Sequence, residues 1–210
     1  HMIVVAKSSS GTDLRLVDLQ DSSVTINLQK NLDTSKSFFK VEFDNTPSKL
    51  IGKSGEGWIY IQHLLDQAAV LFAFEQVGGA QVALDEAKKY SLERYAFGKQ
   101  IGAFQALKHK MADMYVKIEL AKSNAYYGAW ALSSDSNELP VAAAGARVSA
   151  IDAYHYASKE NIQIHGGVGF TWEYDCHLFY RRAKQLALNI GSVRQWKENL
   201  ISNLEKRNIV

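Results

Sequence analysis

Cysteine occurs once in the 210 residues, as Cys176, and proline twice, as Pro47 and Pro140. One thiol excludes an internal disulfide framework, and without a cysteine cluster there is no thiolate zinc site. An excess of charge is also lacking: 24 Lys and Arg stand against 22 Asp and Glu, a net of +2. No basic stripe results, which argues against a nucleic-acid or anionic-membrane binder. Long apolar runs are absent too. The longest, Ala68 to Phe74, has seven residues, far below the roughly 20 that a membrane span needs. No signal peptide is visible, so the expected compartment is the reducing cytoplasm. His155, His165 and His177 lie ten and twelve residues apart, which is no ligand spacing, and a metal site is not expected. The opening His1-Met2 reads as a cloning scar. What is present suffices for a core: 47% of the residues are hydrophobic, among them nine Phe and four Trp.

The chain changes character near residue 56. Before it, Val24, Ile26 and Leu28 alternate with Thr25 and Asn27, and Phe39, Val41 and Phe43 alternate with Lys40 and Glu42. This is the period-2 pattern of half-buried strands. With Ile3–Ala6 and Leu14–Val17, four short antiparallel strands are expected within residues 3–43. They make a poor domain alone, because so little sheet buries little area. Residues 1–56 therefore read as a partial β-domain segment and residues 57–210 as a helical domain. Apolar residues after Gly57 recur at three-to-four spacing, as in Phe104, Leu107, Met111, Met114, Ile118 and Ala121. Helices are expected over Trp58–Glu93, 104–132, Pro140–His165, His177–Asn189 and 192–207, with Gly78-Gly79 a kink or a close-packing point. The fold class is mainly α: an antiparallel four-helix-type bundle preceded by a small partial antiparallel β segment.

Two stretches carry chemical signals. In Gln163-Ile164-His165-Gly166-Gly167-Val168-Gly169-Phe170, three glycines in four residues allow backbone N–H groups to approach a ligand closely. The same pattern also serves as a plain helix C-cap and turn. In Leu92 to Gln105, Arg94 closes a helix and a Phe97-Gly98, Ile101-Gly102 connector leads to Phe104-Gln105. Its planar guanidinium suits a phosphate, or it is a surface Arg favoured by the helix dipole.

Taken together, Glu75 to Ala80, the Arg94–Gln105 connector and the Gln163–Thr171 loop resemble the C-terminal half of the acyl-CoA dehydrogenases. Trp172-Glu173-Tyr174-Asp175 and Tyr180 to Lys184 continue the likeness, which covers residues 57–200. The N-terminal strands, with Phe38, Phe39 and Phe43-Asp44-Asn45-Thr46-Pro47, resemble the latter part of that family's middle β-domain. The chain thus reads as a C-terminal fragment or short relative. The resemblance implies FAD as cofactor, with Arg94 at the pyrophosphate, Phe97 and Gln105 lining the cofactor, and Gln163, Gly166 and Gly167 at its adenosine end. It implies an acyl-CoA substrate, an electron-transfer flavoprotein as electron acceptor, and either a homo-oligomer or a heteromeric acyl-CoA dehydrogenase partner.

The implied reaction is α,β-dehydrogenation of the thioester. A carboxylate in a dry pocket removes the α-proton while the β-hydrogen leaves as hydride. Here the sequence departs from the family. Ile190, in Asn189-Ile190-Gly191-Ser192, stands where most members carry the catalytic Glu. The alternative position, on the first bundle helix, falls at Ala68. Glu75 and Asp66 are the nearby carboxylate candidates, Glu75 on roughly the same helix face as Ala68. The activity implied is that of a flavin-dependent acyl-CoA dehydrogenase. The alternative is a non-catalytic subunit that completes the FAD site and interface of a heteromeric one.

Overall fold

A computed structural model describes residues 1–208. They form two compact units, His1–Leu65 and the part from Asp66 onward.

The first unit holds five strands where the apolar alternation marks four: β1 (Met2–Ser8), β2 (Gly11–Val17), β3 (Val24–Gln29), β4 (Phe38–Phe43) and β5 (Ser48–Ile51). The additional strand is β5. Its four residues contain Lys49 and only two apolar side chains, too short a run to show a period. Its ladder with β2, from Leu14↔Ile51 to Val17↔Ser48, makes it a strand. The sheet order is β1-β2-β5, and β3 with β4 forms a separate antiparallel hairpin in the register Val24↔Phe43.

Buried Asp13 ties this sheet to the turn before the first helix. One carboxylate oxygen accepts bonds from Ser54 Oγ and the Gly55 N–H at 2.9 Å and from Ser8 Oγ at 3.1 Å; the other accepts from Arg15 Nη2 at 2.8 Å. The Gly55 N–H, then Arg15, hold the Asp13 pKa down at about 2. Because the folded pKa lies below the unfolded one, Asp13 stabilises the fold above the ordinary carboxylate range. That contribution is lost as pH falls toward about 2. Urea midpoints measured between pH 5 and pH 2 are expected to fall more steeply for the native sequence than for Asp13→Asn.

Helix α1 (Gly57–Glu93) crosses the boundary between the units. In the second unit its remainder shares a core with α2 (Gln105–Ser133), α3 (Leu139–His165) and α4 (Cys176–Leu186), and α5 (Val193–Asn208) packs on α3. Helix α3 is the central member, touching α2, α4 and α5. Pro140 occupies its first turn, where a missing N–H costs nothing. The core is rich in alanine: Ala73, Ala80 and Ala83 of α1 meet Ala121 and Ala125 of α2 and Ala150 and Ala153 of α3. Such small side chains let helix axes approach closely. Gly79 is a close-packing point, since a Cβ there would lie 2.5 Å from the Tyr154 ring.

Helix α4 ends at Leu186, short of the expected Asn189. Gly191 takes φ +107, and the indole N–H of buried Trp196 donates to the Ile190 carbonyl at 3.0 Å, so residues 187–192 form a pinned turn instead.

Candidate functional site

The connector after α1 folds tightly on itself. Strands β6 (Tyr95–Ala96) and β7 (Lys99–Gln100) pair across a two-residue loop, Phe97-Gly98. Both loop residues have positive φ, +53 and +78, as a type I′ hairpin turn requires. For a Phe this conformation is strained. It places the ring at the hairpin tip, 95% exposed and in edge contact with Phe104 at 6.2 Å between ring centres. The Ile101 N–H donates to the Arg94 carbonyl at 2.8 Å and closes the connector, so α2 begins with Gln105 beside this hairpin.

The second element follows α3. Gly166, at φ +66, stops the helix, and Gly166–Phe170 forms a 3₁₀ turn. The loop is open, since a Cβ at Gly166 or Gly167 would meet nothing within 4 Å. His165 beneath the loop stacks on Tyr90 at 4.2 Å, and Tyr174 packs edge-on to both. This aromatic stack floors a cleft of about 460 Å³ that Arg94 and Val168 share, which brings the connector and the glycine loop together. The cleft also carries Glu86, Glu93, Glu173 and Asp175 against Lys89 and Arg94, so its floor does not suit a phosphate.

Exposed side chains of the two elements suit one better. Arg94, Gln105 and Gln163 are exposed, and none of these side chains has a hydrogen bond or ion pair with another described residue. An unspent guanidinium, two unspent amides, open glycines and a bare Phe ring fit a long ligand bearing phosphate and aromatic rings. FAD has that shape. An exposed face needs a second surface to close it, so these residues can hold only one side of such a cofactor. No contact joins Gln163 directly to Arg94; the link runs through His165 and Val168 in the shared cleft.

The carboxylate candidates lie elsewhere. Glu75 stands 19 residues before Arg94 on α1, about 28 Å along the helix axis. It is 43% exposed, and its Oε1 accepts from Arg182 Nε at 3.0 Å and from Arg182 Nη2. A half-exposed carboxylate already paired with an arginine is not in the dry pocket that the implied base needs. Asp66, partly buried on the same helix, engages other groups of the protein. Ala68 carries no polar atom, and Ile190 presents an alkyl group in the pinned turn.

One residue escapes a motif search. Arg147, in the middle of α3, is fully buried. Its Nη1 donates to Gln76 Oε1 at 2.6 Å, its Nη2 to the Leu186 carbonyl, and its guanidinium lies over the Phe72 ring at 5.5 Å. No carboxylate among the described residues pairs with it, and burial lowers its pKa to about 10. It ties α3 to α1 and to the start of the Ile190 turn. Its signal in the sequence is a lone charge within Ala142-Ala143-Ala144-Gly145-Ala146-Arg147.

A bundle of this topology, an Arg-bearing hairpin connector and a glycine loop after the third helix together define an acyl-CoA dehydrogenase C-terminal domain. The profile described as "Acyl-CoA dehydrogenase, C-terminal domain" matches residues 55–193, and the chain belongs to the acyl-CoA dehydrogenase family. It is 41% identical over 143 residues to the acyl-CoA dehydrogenase IpdE2 of Mycobacterium tuberculosis, covering 67% of this chain and 42% of that protein. It is 29% identical over 205 residues to CarC, a subunit of the caffeyl-CoA reductase–Etf complex of Acetobacterium woodii, covering 95% of this chain and 54% of CarC. Among solved structures, butyryl-CoA dehydrogenase from Megasphaera elsdenii superposes with a TM-score of 0.90 at 25% identity, over 96% of this chain and 55% of that one. The chain thus spans about half the length of these relatives, or less. Among the described residues no helix is long and apolar enough to cross a membrane, and no three His, Cys, Asp or Glu side chains are placed to hold a metal.

Proposed function

We propose that the chain works in a flavin-dependent acyl-CoA dehydrogenase, forming one side of the FAD site while the α,β-dehydrogenation of an acyl-CoA thioester takes place. The observation that carries this is the exposed set Arg94, Phe97, Gln105 and Gln163, whose polar members are unspent in the chain's own side-chain hydrogen bonding. When bound, FAD supplies the hydride acceptor. The chain's residues bind and orient: Arg94 holds pyrophosphate oxygens with a charge-assisted pair, Phe97 covers an aromatic ring, and Gln163 with the open Gly166-Gly167 backbone receives the adenosine end. Reoxidation passes electrons to an electron-transfer flavoprotein, and the name of the relative CarC, a subunit of an Etf complex, supports that partner.

A second reading is favoured by one specific observation. Neither family position for the base holds a carboxylate, and Glu75 is engaged by Arg182. A non-catalytic subunit that completes the FAD site and interface of a heteromeric dehydrogenase accounts for this. Under either reading, the purified assembly containing this chain should lose its oxidised-flavin absorption on anaerobic addition of butyryl-CoA or octanoyl-CoA. An assembly that binds no FAD, or binds it and stays oxidised with acyl-CoA thioesters of every length, removes the proposal.

A further inference from the structure

We propose that a groove between α3, α4 and α5, apart from the residues described above, binds an amphipathic aliphatic carboxylate. Its volume is about 780 Å³, within the range of small-ligand pockets. Val148, Ile151, Ala183, Ala187, Val193 and Leu200 make its walls mainly apolar. Lys184, Lys197 and His155 bring the polar groups, with Asn124 and Ser149.

Charge favours an anion. Among the described residues the one carboxylate lining the groove, Asp152, is already held by Lys117 at 2.6 Å. Lys184 lies over the Tyr180 ring at 5.2 Å, and neither it nor Lys197 pairs with a carboxylate among the described residues. His155 stays neutral near pH 7, because burial and the nearby Lys184 and Lys159 lower its pKa against the opposing pull of Asp152. Its Nδ1 is buried and has no hydrogen-bond partner among the described residues.

Gly145 adds an independent observation. A glycine inside a helix weakens it, yet a Cβ here would meet nothing within 4 Å, and the residue lines the groove. Packing within the chain does not require this glycine. The bare backbone keeps the groove open. A carboxylate fits better than a nucleotide, since the groove has no Arg fork for phosphates and no aromatic face for a base.

Calorimetric titration of the full chain with decanoate, below its micellar range, tests the proposal. One saturable site per chain is expected, with decanol binding about tenfold more weakly or less. Lys184→Gln with Lys197→Gln should weaken decanoate by about tenfold or more, and Gly145→Leu should abolish binding while leaving the helical circular dichroism and melting unchanged. Absence of saturable binding overturns the proposal, as does binding that these variants leave intact. It is equally overturned if Gly145→Leu breaks a self-associated state seen by sedimentation while decanoate has no effect, because the occupant is then a second copy of the chain.

Discussion

Arg147→Ala is expected to destabilise the bundle by about 3–5 kcal/mol, a large share of the roughly 5–15 kcal/mol that holds a typical domain folded. The guanidinium is fully buried, with Nη1 donating to Gln76 and Nη2 to the Leu186 carbonyl, while Nε has no partner among the described residues. Truncation leaves both acceptors without a donor in a site closed to water, each costing on the order of 1–3 kcal/mol. It also opens a cavity beneath Phe72. Arg147→Met fills much of that volume and should recover part of the loss, while still leaving the acceptors unpaired. Urea unfolding followed by far-UV circular dichroism measures both variants. A loss below about 1 kcal/mol in the alanine variant would mean that water or a neighbouring side chain replaces the guanidinium.

The second large effect concerns the cofactor face. Arg94→Ala should weaken FAD binding by about 1.5–3 kcal/mol, the size of a hydrogen bond to a charged group. Fold stability should stay nearly unchanged, because Arg94 is exposed and its side chain makes no hydrogen bond or ion pair with the described residues. Arg94→Lys should restore only part of the affinity, since an ammonium cannot bond two phosphate oxygens in one plane. Flavin fluorescence during titration of the assembled protein gives the affinity, and thermal melting serves as the control for folding. Unchanged affinity in Arg94→Ala would remove this residue from the site.

Local pattern made much of the bundle legible. Apolar spacing fixed the type of all five helices, and Pro140 and Gly166 marked the two ends of α3 because each acts through its own backbone. Features that depend on distant partners were hidden. β5 exists through its pairing with β2, some thirty-five residues away, and its four residues carry no period of their own. The end of α4 depends on Trp196 reaching back to the Ile190 carbonyl.

The candidate site divides in the same way. Arg94, the glycine loop and their order along the chain could be read from sequence. The hairpin that presents Phe97 could not, because a type I′ turn is normally signalled by Asn-Gly and here reads Phe-Gly. Nor does spacing reveal that Glu75 meets Arg182 across 107 positions. Same-face placement beside Ala68 made Glu75 a candidate base; the structure shows it half-exposed and paired with Arg182.

Under the proposed function, Glu75 is not the base for the α-proton. Acyl-CoA oxidation by the assembled enzyme, compared between the native chain and its Glu75→Gln variant at matched FAD content, tests it most directly. Turnover within about threefold of native is expected, since the substitution removes only the half-exposed ion pair with Arg182. A drop of about 10²–10⁴-fold, the cost of losing a positioned general base, would make Glu75 the catalytic carboxylate and contradict it.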